Sequence, residues 1–193
     1  MTHHRLAIFA SGSGTNAENI IRYFKDNEEI EIVLVLTNNK NAGVIKRSIK
    51  LNVPVFIFDR DQFYNSTMIS GLLNENNIDF IVLAGFLWLI PVEIIKTYSN
   101  RIINIHPALL PKYGGKGMFG DHVHKAVKSN GDKETGITIH FVDENYDEGK
   151  IIFDAKCIID PENENIDEIA AKVHQLEYKY YPEIIEQVLT QLK

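Results

Sequence analysis

The sequence lacks several features that mark specialised classes of protein. It has one cysteine in 193 residues, which excludes an intrachain disulfide and fits a reducing compartment. That cysteine, Cys157, lies in the apolar run IIFDAKCII, which indicates a buried side chain and not a nucleophile. No apolar run approaches the roughly 18 residues of a membrane-spanning helix, and the N-terminal apolar stretch is too short for a signal peptide. We expect a cytoplasmic protein with no membrane partner.

Clusters of positive charge are also missing. The formal net charge is −6, from 20 Lys and Arg against 26 Asp and Glu, so nucleic acid is a poor partner for the surface as a whole. One local site can still bind a small anion. The hydrophobic fraction of 45% and the charged fraction of 24% are ordinary globular values. The length predicts a single domain over residues 1–193. We expect its partners to be small molecules and its state to be a monomer or homodimer, which the sequence does not distinguish.

Short apolar runs alternate with longer amphipathic segments in the first half of the chain. Each apolar run is typical of a strand buried on both faces, and the segments between them have helical spacing. This alternation predicts right-handed crossovers and a doubly wound, Rossmann-like α/β fold with a mostly parallel sheet. The predicted strands are 5–10, 31–36, 53–57, 80–84 and 101–105, and the predicted helices are 16–25, 42–51 and 61–76.

The second half of the chain is less regular. Pro91 starts a short helix that ends near residue 98, and residues 106–120 are too polar and glycine-rich for an element of their own. A helix follows at 124–129. Two β-rich runs, 135–142 and 150–159, predict an antiparallel C-terminal addition to the sheet. Residues 165–192 form a terminal helix or helix pair, with Pro182 starting a new turn.

The motif SGSGTN at residues 11–16 lies between a predicted strand and a predicted helix. Glycines allow a tight turn, and free amides at a helix start favour a phosphate or carboxylate. The motif lacks the lysine of a nucleotide P-loop, and it does not spell the dinucleotide fingerprint GxGxxG. The alternative is a plain strand-to-helix turn in which Thr15 or Asn16 caps the helix.

Asn104 and His106 stand at the carboxyl end of the fifth predicted strand, where open α/β sheets bind ligands. Strand alternation sends both side chains to the same face. An amide donor and an imidazole at one point are suited to stabilising an oxyanion and moving a proton.

An acidic turn, DENYDEG at residues 143–149, joins the two C-terminal strands. Most such turns are simply solvated. A carboxylate folded against His106 would favour the imidazolium and raise the pKa of that histidine. The sequence pattern alone does not indicate which of Asp143, Glu144 and Asp147 lies against His106.

Other residues carry weaker signals. His122 and His124 form an H-x-H pair, but no third ligand stands at zinc spacing, which disfavours a metal site. His140 lies inside a predicted strand, where its side chain either faces the site or packs against neighbouring residues. Trp88 follows a strand end and would wall a pocket for a flat ligand or belong to the core. Residues 114–120 are glycine-rich and suit a mobile lid.

Separate motifs along the chain resemble those of the folate-dependent formyltransferases. NIHPALLPKY at residues 104–113 and GITIHFVDENYDEGKII at residues 136–152 are similar to the signature of that family. SGSGTN at 11–16 and VLAGFLWLIP at 82–91 resemble the branch that formylates phosphoribosylglycinamide in purine synthesis. The similarity runs over nearly the whole chain, and the length fits a stand-alone enzyme of that branch.

The resemblance implies roles for individual residues. Asn104, His106 and Asp147 would form the catalytic set, which resolves the choice within the acidic turn, with His140 supporting them. It implies a phosphate-binding N-terminal half of about residues 1–100 and a catalytic, folate-binding half of about 101–193. Gly14, Thr15 and Asn16 would hold the substrate phosphate, and Glu177 the glycinamide end. The implied folate-binding residues are Arg60, Leu87, Trp88, Leu89, Ile90, Asn104 and Val142.

The activity implied is formyl transfer from the cosubstrate 10-formyltetrahydrofolate to the amine of 5-phosphoribosylglycinamide, without a metal. Asn104 and a protonated His106 would stabilise the oxyanion, and Asp147 would keep His106 protonated. The rivals within the family are transfer to another amine and deformylation of the folate by water. A flavodoxin-like binding module is the rival from another class, and it leaves the catalytic set without a role.

Overall fold

The computed structural model describes residues 3–192, so Met1, Thr2 and Lys193, which the single-domain prediction includes, lie outside the described residues. Its strands form one seven-stranded sheet. They are β1 (His4–Phe9), β2 (Ile30–Thr37), β3 (Val55–Ile57), β4 (Phe80–Leu83), β5 (Ile102–His106), β6 (Glu134–Phe141) and β7 (Ile151–Ile158). Their order is β3-β2-β1-β4-β5-β6-β7. The first five strands pair in parallel, and β6 and β7 extend the sheet in antiparallel fashion.

Helices cover both faces of the sheet, because successive residues of a buried strand point to opposite sides. In β1, Leu6 and Ile8 belong to one core and Ala7 and Phe9 to the other. The helices are α1 (Thr15–Tyr23), α2 (Gly43–Lys50), α3 (Arg60–Tyr64), α4 (Met68–Glu75), α5 (Val92–Thr97), α6 (Asp121–Ser129) and α7 (Ile166–Gln191). The predicted doubly wound α/β fold with an antiparallel C-terminal addition is confirmed. Within residues 3–192, no helix combines the length and apolarity needed to cross a membrane.

The single helix predicted over residues 61–76 is wrong, because the segment forms two helices, α3 and α4. The break lies at Ser66, whose hydroxyl donates to the carbonyl of Gln62 and accepts from the amide of Met68. A serine side chain that bonds nearby backbone groups competes with the helical hydrogen bonds. The local polar cluster therefore overrides the helical spacing of the apolar residues.

Pro182 does not begin a new turn, since α7 is one continuous helix of 26 residues with this proline inside it. A proline has no N–H to donate to the carbonyl four residues earlier, which here belongs to Tyr178. Asn19 of α1 donates to that carbonyl instead, at 2.8 Å. A neighbouring helix thus satisfies the group that the proline leaves free.

The other predicted boundaries differ from the structure by at most three residues. The largest difference is at α6, which starts at Asp121 and not at residue 124. The fifth strand runs one residue further than predicted and ends at His106. Cys157 is half-buried, and burial raises the pKa of its thiol.

Candidate active site

The SGSGTN loop turns between β1 and α1 through a residue that must be glycine. Gly14 has a φ of 78°, and a Cβ there would lie 2.4 Å from Cβ of Val44. Gly14 is also the N-cap of α1, and no side chain bonds the first amides of that helix. The alternative in which Thr15 or Asn16 caps the helix is therefore wrong. Residues 12–16 line a cleft of about 560 Å³, as expected of an anion-binding loop.

Asn104 and His106 occupy alternate positions at the end of β5, and both line the same cleft. His106 is almost fully buried. In the antiparallel pairing of β5 with β6, Asn104 stands opposite His140, and its Nδ2 lies 3.2 Å from Nε2 of His140. Nδ1 of His140 lies 2.8 Å from the carbonyl oxygen of Phe141, which fixes the ring with Nε2 towards Asn104. The side-chain convergence predicted from strand alternation is present.

Both ring nitrogens of His106 face an oxygen atom. Nε2 lies 2.7 Å from the carbonyl oxygen of Tyr113, and Nδ1 lies 3.5 Å from Oδ2 of Asp147. Tyr113 and Asp147 both have left-handed backbones, with φ of 60° and 57°. Positive φ is uncommon outside glycine, and such strained residues concentrate at functional sites.

Of the three candidate carboxylates in the acidic turn, the structure brings Asp147 to His106. Oδ2 of Asp147 also accepts from the amide of Gly115 at 3.0 Å. Its Oδ1 lies 3.4 Å from Nδ2 of Asn104 and 3.6 Å from Nε2 of His140. Asp143 instead accepts from the amide of Asn145 within the turn, and Glu144 is exposed.

Burial has the largest effect on the pKa of His106. Removal from water lowers the pKa of His106 below its ordinary value, although Asp147 and the carbonyl of Tyr113 act in the opposite direction. The nearby carboxylate acts in the expected direction, since Asp147 raises the pKa of His106, but desolvation outweighs this effect and the net shift is downward. For Asp147, burial acts to raise the pKa, but contacts with His140, His106 and Gly115 bring it below the ordinary value.

A second polar cluster lies in the same cleft, on α7. The carboxylate of Glu177 is almost fully buried and accepts from Nδ2 of Asn16 at 2.9 Å and from Nδ1 of His174 at 2.7 Å. The hydrogen bond to Glu177 raises the pKa of His174. Glu177 thus joins the SGSGTN loop to α7.

His122 and His124 lie on different faces of α6, as expected for residues two apart in a helix. His124 is buried and lines the cleft, while His122 is exposed. Burial lowers the pKa of His124, and its ring centroid lies 6.5 Å from that of His174. In the part of the chain that the structure describes, no group of three or more His, Cys, Asp or Glu is arranged to hold a metal ion.

Most residues of the expected folate site lie beside the cleft and not in its lining. Leu87 and Asn104 line it. Trp88 packs among aromatic rings, and the guanidinium of Arg60 lies 5.6 Å from the centroid of its ring. Ile90 is buried, Leu89 accepts through its carbonyl from the hydroxyl of Tyr64, and the amide of Val142 donates to Ile102. Their contact with folate stays a prediction.

Three contributors to the site were missed by the sequence reasoning. The carbonyl of Tyr113 and the amide of Gly115 are backbone groups in an irregular loop, and no residue type signals them. His174 carried a signal, because it stands three residues before Glu177 in a predicted helix and so shares its face. The glycine-rich residues 115–120 also line the cleft.

The fold and the site together define a doubly wound α/β protein with one cleft at the carboxyl end of β5. Residues of the SGSGTN loop share that cleft with the cluster of Asn104, His106 and Asp147. Comparison with known proteins agrees with this class. The sequence model described as "Formyl transferase" matches residues 4–185, and the chain belongs to the formyl transferase family.

The curated and solved relatives are more specific. A chloroplastic phosphoribosylglycinamide formyltransferase of Arabidopsis thaliana is 38% identical over 94% of this chain, which spans 64% of that protein. The phosphoribosylglycinamide formyltransferase of Bacillus subtilis is 35% identical, with 96% of this chain and 94% of that protein covered. The crystal structure of the phosphoribosylglycinamide formyltransferase from Bacillus halodurans has 35% identity and a TM-score of 0.87, covering 98% and 97% of the two chains.

Proposed function

We propose that this chain transfers the formyl group of 10-formyltetrahydrofolate to the amine of 5-phosphoribosylglycinamide, giving N-formylglycinamide ribonucleotide in de novo purine biosynthesis. The family and the names of the relatives support this activity. The structural observation that carries it is the sharing of one cleft by the SGSGTN loop and the cluster of Asn104, His106 and Asp147. A substrate with a phosphate at one end and an amine at the other fits that arrangement.

The ribonucleotide binds at two points. Its phosphate sits on the amides of Gly14, Thr15 and Asn16, where the N-terminus of α1 favours negative charge. The buried carboxylate of Glu177 accepts hydrogen bonds from the glycinamide end and holds the amine in the cleft. Because Asn16 donates to Glu177, the two binding points form one unit, which fixes the distance between phosphate and amine.

The reaction begins when the amine nitrogen attacks the formyl carbon and forms a tetrahedral intermediate. Nδ2 of Asn104 donates a hydrogen bond to the developing oxyanion. The neutral ring of His106 takes the proton that the attacking nitrogen loses, and Asp147 stabilises the imidazolium while it exists. The ring then returns this proton to N10 of the folate as the C–N bond breaks, so His106 ends neutral.

The folate lies beside this centre. Leu87 lines the cleft, and we assign Trp88, Leu89, Ile90 and Val142 to the wall around the pterin, with Arg60 towards the benzoylglutamate tail. His140 positions Asn104 and Asp147 through the contacts at its Nε2. The proposal places the reaction in the cytoplasm and involves small molecules alone, without metal, membrane or nucleic acid.

The test is an assay of tetrahydrofolate release from 10-formyltetrahydrofolate, with and without the ribonucleotide. The proposal predicts rapid release that requires the ribonucleotide and yields one formylated product per folate. Equal release without the ribonucleotide would identify a deformylase. No release from folded protein with either mixture would contradict the proposal, and a purified protein that carries flavin would favour a binding module.

A further inference from the structure

Three consecutive carbonyls of the SGSGTN loop, at residues 11–13, are each bonded by a donor from the segment that follows β2. The donors, in chain order, are Nδ2 of Asn39 at 3.2 Å, the amide of Val44 at 3.2 Å and Nε of Arg47 at 2.9 Å. Val44 and Arg47 lie in α2, which packs against α1 behind the loop. The loop is therefore held through its carbonyl oxygens from outside the cleft.

These bonds decide where the loop amides point. In a trans peptide the C=O and N–H bonds of one plane point in opposite directions. Because the three carbonyls point towards their donors, the amides of residues 12–14 point the other way. Residues 12–16 line the cleft, whereas Val44 and Arg47 do not. Successive amides directed at one point form an anion-binding concavity.

Arg47 is the charged one of the three donors, and it has a second partner. Nη1 of Arg47 donates to the carboxylate of Glu18 in α1, which also accepts from Arg22 at 2.7 Å. The hydrogen bonds from Arg22 and Arg47 lower the pKa of Glu18. Arg47 thus ties the carbonyl of Ser13 to α1 and α2 together, while Arg22 binds the same carboxylate without contacting the loop.

We propose that Arg47 is a positioning residue for phosphate binding. It donates to the carbonyl of Ser13 and so holds the Ser13–Gly14 peptide in the orientation that directs the N–H of Gly14 into the cleft. It acts through the loop and does not itself touch the substrate. The identity of the substrate rests on the proposed function, but the inference applies to any phosphate monoester that the loop binds.

The test compares Arg47→Gln, Arg47→Lys and the control Arg22→Gln in the full chain. Ribose 5-phosphate is titrated by calorimetry, and KM for the ribonucleotide and for the folate is measured alongside. Arg47→Gln loses the charge-assisted bond. The affinity for ribose 5-phosphate therefore falls about tenfold, and KM for the ribonucleotide rises about tenfold. The lysine variant keeps a charged donor and recovers most of that loss. In Arg22→Gln, the affinity for ribose 5-phosphate and KM for the ribonucleotide change less than about twofold. KM for the folate changes less than about twofold in every variant.

The outcomes separate this inference from the proposed function. Equal effects of Arg47→Gln and Arg22→Gln, or a loss of kcat with unchanged phosphate affinity, would overturn the positioning role. A wild-type protein that binds ribose 5-phosphate but transfers no formyl group would refute the proposed function. The positioning role would still stand in that case if Arg47→Gln alone weakened the binding. A wild-type protein that does not bind ribose 5-phosphate at all would overturn the positioning role.

Discussion

Oδ2 of Asp147 lies 3.5 Å from Nδ1 of His106, and the backbone of Asp147 has a left-handed φ of 57° at that point. The same oxygen accepts from the amide of Gly115. The carboxylate is therefore fixed by its own strained turn and by Gly115 of the loop that lines the cleft. A charge held in this way stabilises the imidazolium at the moment it forms, without reorganisation.

The first prediction concerns the pKa of His106. Burial lowers this pKa below its ordinary value of about 6.5, and the charge of Asp147 partly offsets that effect. Asp147→Asn removes the offset, so the pKa of His106 falls further. NMR titration of the ring in the free protein measures it. Asp143→Asn, in the same turn, is the matched control and leaves the pKa unchanged; a rise in Asp147→Asn would contradict the prediction.

The second prediction concerns the stability of the phosphate loop. Gly14→Ala forces an alanine to a φ of 78° and places its Cβ 2.4 Å from Val44, which costs about 2–4 kcal/mol of unfolding free energy. Gly71→Ala is the control, because a Cβ there meets nothing within 4 Å in the middle of α4. It stabilises by about 0.5–1 kcal/mol. Urea unfolding measures both, and a Gly14→Ala protein as stable as wild type would refute the loop geometry.

The third prediction concerns Glu177. Glu177→Gln keeps the size of the side chain but loses its charge, so KM for the ribonucleotide rises about tenfold or more, while KM for the folate stays within about twofold. The pKa of His174 also falls, because its hydrogen bond to Glu177 raises it. Steady-state kinetics and NMR titration give the two readouts. Glu186→Gln, which contacts Tyr23 outside the cleft, changes neither, and an unaltered KM in Glu177→Gln would exclude Glu177 from substrate binding.

The fourth prediction concerns the attachment of α7 to the sheet. The fully buried hydroxyl of Tyr181 donates to the carbonyl of Leu83 in β4 at 2.8 Å. Tyr181→Phe removes that bond and destabilises the protein by about 1–1.5 kcal/mol. Tyr23→Phe, whose hydroxyl is bonded to Glu186 at the surface, costs less than about 0.5 kcal/mol. Equal losses in the two variants, measured by thermal unfolding, would contradict this role of Tyr181.

The parts of the molecule that the sequence predicted are those set by local patterns. Buried strands are continuous apolar runs and amphipathic helices have a fixed period, so the sheet and its covering helices follow from spacing. The placement of Asn104 and His106 on the same face of the sheet follows in the same way, because strand alternation is regular. The break at Ser66 and the continuous helix through Pro182 depend on individual side-chain bonds, which spacing does not encode.

The charge state of the site needed the structure. The acidic turn at residues 143–149 indicated a carboxylate near His106, and proximity alone predicts a raised pKa for that histidine. The opposite direction results because the ring is buried as well as paired, and burial is a property of the whole fold. The carbonyl of Tyr113 depends on the path of an irregular loop, which no residue pattern fixes.

In the proposed reaction, His106 moves the proton during formyl transfer. The most direct test is the single-turnover rate of His106→Ala, compared with wild type at saturating ribonucleotide and 10-formyltetrahydrofolate. We expect a rate at least about a hundredfold lower, with ribonucleotide affinity within about threefold of wild type, because binding and chemistry depend on different residues. A rate within about threefold of wild type would contradict the claim.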